Sequence, residues 1–263
     1  VRFALVFIVA SAVTAGWGST RWLPLHLFLA GAVMLAISAV SLMLTVTWST
    51  APAPPNRAVW AQRLCVAIGA AGIGIGRAAH APDLVVVVAG AVYAIGLVGL
   101  AALLATTVRA GVKRRFDVAV AAYVAAIAAG MAGVGIGVYM AVTTPSLALR
   151  AAHVSLNLLG LVGLVIGGTL PFFAATVGRS RMSPAATPAR LMVTLVWQSV
   201  MVASAAALLA ADLPRAAAIG FGGYALGVVV TLVWMPRPAR RQLEWAGPRL
   251  VARALPSAIP RPT

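Results

Sequence analysis

The stretch from Arg150 to Arg181 opens with RAAHVSLNLLGLVGLVIGGTLPFFAATVGR, and no charged residue falls between Arg150 and Arg179. An apolar run of that length crosses the hydrocarbon core of a bilayer, which takes ~20 helical residues. No water is present there to satisfy a backbone amide or carbonyl, so the run must close its hydrogen bonds within one helix. Near its start stand His153 and Asn157, followed by Gly160 and Gly167. Residues three and four apart share a helix face, so these four fall close to one stripe, polar at the top and backbone-thin below. Such a stripe suits packing against other helices or a flat cofactor, not contact with lipid.

Eight runs of this kind can be marked, at about 3–18, 23–47, 61–79, 84–108, 117–142, 148–177, 190–211 and 215–235. Segments rich in proline, charge or turn residues separate them, among them STAPAPPNR, HAPD, RAGVKRRFD and GRSRMSPAATP. Proline lacks the amide that continues a helix, and such clusters mark where water begins. The 263 residues are 62% hydrophobic and 9% charged, which excludes a soluble domain. Twenty lysines and arginines stand against four acidic residues. The basic residues lie between apolar runs and not on one solvated face, so the balance reports membrane topology and no nucleic-acid partner is expected. With the amino terminus inside, sixteen of the twenty fall on the cytoplasmic side, leaving Arg21, Arg77, Arg150 and Arg215 outside.

The expectation is therefore an all-α polytopic membrane protein in a bacterial cytoplasmic membrane. Residues 1–236 form a bundle of eight transmembrane helices with both termini cytoplasmic, and 237–263 form a basic cytoplasmic tail. The first run ends at GWGST without a small-x-small cleavage pattern, so it is read as a retained helix. A seven-span reading that drops it moves only the amino terminus. In the tail, Trp245 and Leu250 suit the headgroup region, and each basic residue beside an anionic leaflet gains ~1 kcal/mol.

The third and fifth runs carry nearly the same glycine pattern, GAAGIGIG from Gly69 and GMAGVGIG from Gly130. Neither follows a strand, so the pattern reads as close helix packing, from a duplication of helix pairs, and not as a nucleotide loop. The single cysteine, Cys65, rules out an internal disulfide framework and a paired-thiol metal site.

The candidates for chemistry are the three histidines. His26 begins the second run, His80 follows the third and His153 begins the sixth, so all three lie at the outer ends of their helices. An ionisable side chain within a span points to function, and imidazole is a common ligand of haem iron and of copper. The other reading is an interfacial side chain bonded to a neighbouring carbonyl. Asn157, Gln198 and Tyr224 read as hydrogen-bonding partners between helices. Asp83, Asp117, Asp212 and Glu244 all fall at run ends, in loops or in the tail, so a proton-coupled transporter lacks its usual buried carboxylate.

The sixth run, AHVSLNLLGLVGLVIGGTLPFFAATVGRSRM, with the second, RWLPLHLFLAGAVMLAISAVS, resembles the membrane part ahead of the cupredoxin domains in some actinobacterial multicopper-oxidase and nitrite-reductase-like proteins. More distantly it is similar to subunit I of haem-copper oxidases and to NnrS-like membrane proteins. The resemblance implies a low-spin haem b held by histidines near the outer ends of two helices, which carries over to His26 and His153, with Asn157 beside them. Three histidines, no two adjacent, cannot build a complete oxygen- or nitric-oxide-reducing centre. The expected role is thus a haem-binding electron-transfer or anchor component in the lipid bilayer, working with a cupredoxin or copper-oxidase partner. The alternatives are a metal-free scaffold or small-solute permease, and copper handling at the outer face by His26, His153 and His80.

Overall fold

A computed structural model describes residues 2–18, 21–114, 116–178 and 182–235. Arg115, Arg179, Arg181 and the basic tail with Trp245 and Leu250 lie outside the described residues. Among the described residues all regular structure is helical. The elements are α1 Arg2–Gly16, α2 Trp22–Ser49, α3 Asn56–Ala78, α4 Asp83–Ala110, α5 Asp117–Val142, α6 Leu147–Val177, α7 Pro188–Ala210 and α8 Pro214–Val233. The last seven are long and apolar enough to cross a membrane. Helix α1 has 15 residues, a rise of ~22 Å at ~1.5 Å per residue, short of the ~30 Å core.

Helix ends follow local chemistry. Pro188 and Pro214 open α7 and α8, where a missing amide costs nothing. The hydroxyls of Ser146 and Thr187 accept the free amides of Leu149 and Arg190 at 3.1 and 3.3 Å.

The distribution of polarity is that of a bilayer protein. Large apolar side chains such as Ile68, Ile95, Val193 and Ile219 are exposed along the helices. Ser38, Ser41, Thr45, Gln62 and Gln198 are buried. Water would penalise the first set, whereas lipid accepts it and drives the second inward. Gln62 Nε2 donates to Ser38 Oγ and to Gly96 O, both at 3.2 Å, and Gln198 Nε2 donates to Thr231 Oγ1 at 3.2 Å.

Two helices change winding in mid-course. Residues Leu27–Val33 of α2 and Leu156–Gly163 of α6 are π-helical. The order of parts in α1–α4 recurs in α5–α8. Helix α1 packs on the π segment of α2, and α5 on that of α6; α3 pairs with α4, and α7 with α8. Tyr93 of α4 and Tyr224 of α8 stand in YAIG and YALG and bond the π segment of their own half. The buried glutamines Gln62 and Gln198 occupy α3 and α7. The described helices thus fall into two similar four-helix units in which α3 answers to α7 and not to α5, so the glycine pattern shared by α3 and α5 marks close packing and not a duplication of helix pairs.

The glycine-rich helices pack closely, as their pattern implies. A Cβ on Gly69 would stand 2.6 Å from Tyr93 N, and one on Gly72 would stand 2.8 Å from Ala89 Cβ, both on α4. Gly133 and Gly137 of α5 make the same kind of room for Asn157 and His153 of α6. Gly222 and Gly135 have open space where a Cβ would lie. Gly69→Ala is expected to destabilise the bundle by ~1–3 kcal/mol through overpacking, while Gly222→Ala leaves the unfolding transition in place; thermal melts in detergent compare the two.

Candidate functional site

His26 lies at the start of α2, one residue before its π segment, and His153 lies in the second turn of α6, three residues before the other. The structure brings these two together: their ring centroids are 6.2 Å apart and the planes differ by 15°. Each half of the molecule supplies one ring. Trp22 stacks on the His26 ring at 4.0 Å, so the wider gap between the imidazoles is not one of direct stacking.

Both rings are oriented by backbone. His26 Nδ1 is 2.9 Å from Trp22 O, one turn earlier on α2, and His153 Nδ1 is 2.8 Å from Gly133 O on α5. A carbonyl oxygen only accepts, so in each ring Nδ1 carries a proton, and in the neutral ring Nε2 is then the nitrogen with the lone pair. Among the described residues no protein group bonds either Nε2. The Nδ1–Cε1 edge of His153 rests against Gly137, where a Cβ would lie 2.9 Å from Cε1. Any larger residue there would push the ring out of place.

Asn157 supports this arrangement from one turn below. Its Nδ2 donates to His153 O at 2.8 Å, and its amide packs against Gly133. The 3.5 Å approach of the same nitrogen to His153 Nδ1 sets two donors side by side, and the shorter bond to Gly133 O decides the tautomer. The stripe His153–Asn157–Gly160–Gly167 divides as α6 descends. The first three face α5, through Gly137, Gly133 and Ala129, whereas Gly167 faces Gln198 of α7. The extra residues of the π segment turn the lower part of the helix away.

His80 is elsewhere. It occupies the turn after α3 with φ 51° and is exposed, and among the described residues no three His, Cys, Asp or Glu side chains cluster as a metal site. Asp83 and Asp117 sit in the first turns of α4 and α5, and Asp212 lies in the α7–α8 turn.

Among the described residues the donor set therefore comprises two imidazoles, with no third His, Cys, Asp or Glu completing a cluster. It suits an iron whose remaining ligands come from a porphyrin, or two-coordinate Cu(I), and it does not complete a tetrahedral zinc site. With a metal–nitrogen bond of ~2 Å, a ring centroid lies ~3 Å from the metal, so a metal lying in the planes of both rings would set their centroids ~6 Å apart; the near-parallel rings here have centroids 6.2 Å apart. The α2 and α6 backbones do not pack closely along their length. They are bridged by the imidazoles at one end and by Trp48 and Phe172, centroids 5.7 Å apart, at the other.

Of the supporting groups, the sequence marks Asn157 and Tyr224 as hydrogen-bonding residues, and both make such bonds. It does not mark Gly133 O, which belongs to a backbone, or Tyr93, whose sequence signal is the YAIG it shares in form with the YALG of Tyr224. In metal-free protein at alkaline pH, ¹⁵N NMR of labelled histidine should show His26 and His153 as Nδ1–H tautomers, and Gly137→Leu should disturb the His153 signal alone. No protein-family model, curated protein or solved structure matches this chain.

Proposed function

We propose that this chain is an integral membrane protein that holds one haem b between His26 and His153 and carries electrons near one membrane surface. In this reading it has eight transmembrane helices, α1 included, with both termini cytoplasmic and the histidine pair toward the opposite face. It serves as an electron-transfer or anchor component beside a cupredoxin or copper-oxidase partner that supplies or receives the electron. The observation that carries the proposal is the near-parallel approach of two imidazoles, one from each half, with centroids 6.2 Å apart and both Nδ1 atoms engaged by carbonyls.

Those carbonyls have a chemical consequence. An Nδ1–H···O=C bond makes Nε2 a stronger donor and fixes the ring orientation, the usual outer support of a metal-ligating histidine. Haem supplies a one-electron couple there. The His26 and His153 Nε2 atoms would hold the iron, the Asn157 amide steadies the His153 turn, and the Trp22 indole lies over His26. The apolar bundle below disfavours the charged form and so bears on the potential.

Protein purified from a haem-sufficient host should show a reduced b-type α-band and a low-spin Soret band. His26→Ala and His153→Ala should each abolish the low-spin spectrum, while His80→Ala leaves it intact. Copper bound without haem would favour copper handling. A colourless, metal-free preparation would overturn the proposal and leave a scaffold or small-solute permease.

A further inference from the structure

A π turn closes its hydrogen bonds on a residue five away, which widens the helix and leaves backbone groups outside the regular ladder. In a dry interior such a carbonyl needs a donor. Both π segments obtain one in the same way. Tyr93 Oη, from α4, donates to Ala30 O within Leu27–Val33 at 3.1 Å, and Tyr224 Oη, from α8, donates to Leu159 O within Leu156–Gly163 at 3.0 Å. Both tyrosines are buried, at 4% and 7% exposure. Gly163 has no side chain where the Tyr224 hydroxyl comes in. One chain has thus built the device twice, each time on the helix that carries one member of the histidine pair.

The histidines precede their π segments by one and three residues. Were either segment to tighten into an α-helix, the portion before it would turn against the portion after it by about one residue, on the order of 100° at 3.6 residues per turn. That rotation would carry an imidazole off the face it shares with its partner. We infer that Tyr93 and Tyr224 are positioning residues: each hydroxyl holds open the π segment beside one histidine, and the two together keep His26 and His153 opposed. The inference rests on the proposed function for what the pair serves, but the geometry can be read without haem.

The test uses the chain of 263 residues with Cys65→Ala, His26→Cys and His153→Cys, treated with a series of bis-methanethiosulfonate linkers of increasing span and read by mass spectrometry. The parent should cross-link with the short linkers. Tyr93→Phe or Tyr224→Phe should lower that yield, as the loss of one neutral hydrogen bond shifts the equilibrium constant between opposed and rotated arrangements about fivefold. Tyr139→Phe, at an exposed tyrosine, should not. If a phenylalanine variant fails to fold, Gly163→Ala, whose new Cβ would meet the Tyr224 hydroxyl, takes its place with the same expectation. In chains with native histidines and haem, Tyr93→Phe and Tyr224→Phe should shift the midpoint potential. Phenylalanine variants that cross-link as well as the parent, or a parent that no linker bridges, would overturn the inference whether or not haem binds. Colourless native protein whose cysteine form cross-links only with both tyrosines present would overturn the proposed function and leave the inference standing.

Discussion

Two hydrogen bonds, from the imidazoles of His26 and His153 to the carbonyls of Trp22 and Gly133, govern what the rest of the bundle can do. In a medium without water a ring nitrogen must find its partner in the chain, and once Nδ1 has done so only Nε2 is left to meet anything else. The choice of carbonyl differs between the halves. His26 is held by its own helix and His153 by the neighbouring one, so the two rings are fixed by unequal parts of a repeated design.

That requirement extends through the interior. Ser41 and Thr45 return their hydroxyls to Ile37 O and Ser41 O at 2.6 and 2.7 Å, and Thr176 does the same in α6, which keeps these polar atoms inside their helices. Thr169 returns its hydroxyl to Val165 O and also meets Tyr123 Oη of α5 at 2.9 Å. The bonds that do cross between helices are few among the described residues, and several involve Gln62, Tyr93, Gln198 and Tyr224. Because lipid gives helices no hydrophobic reason to associate, close glycine contacts and these few bonds set the arrangement.

The positions of the long helices could be read from hydropathy because a bilayer makes length and polarity decisive. Helix α3 begins at Asn56, ahead of its apolar run, because Pro55 fixes the start while Arg57, Gln62 and Arg63 remain polar. That His26 and His153 lie near the starts of their helices was also legible, since proline, charge and turn residues just ahead of them mark where the helices begin. Their pairing was a guess about faces, and faces depend on winding. A 3.6-residue period places Gly167 beside His153, yet the π segment of α6 turns it toward Gln198. Gln62 was passed over although Gln198 was noticed; its partners, Ser38 Oγ and Gly96 O, leave no mark in a hydropathy profile.

Division of the pair between two four-helix units has a bearing on biosynthesis. A ribosome releases His26 early, and that ring has no counterpart until the sixth helix has been made and seated against α5. The opposed imidazoles are therefore among the last features of the bundle to form, and a chain interrupted between its halves would present a lone ring incapable of gripping anything from both sides.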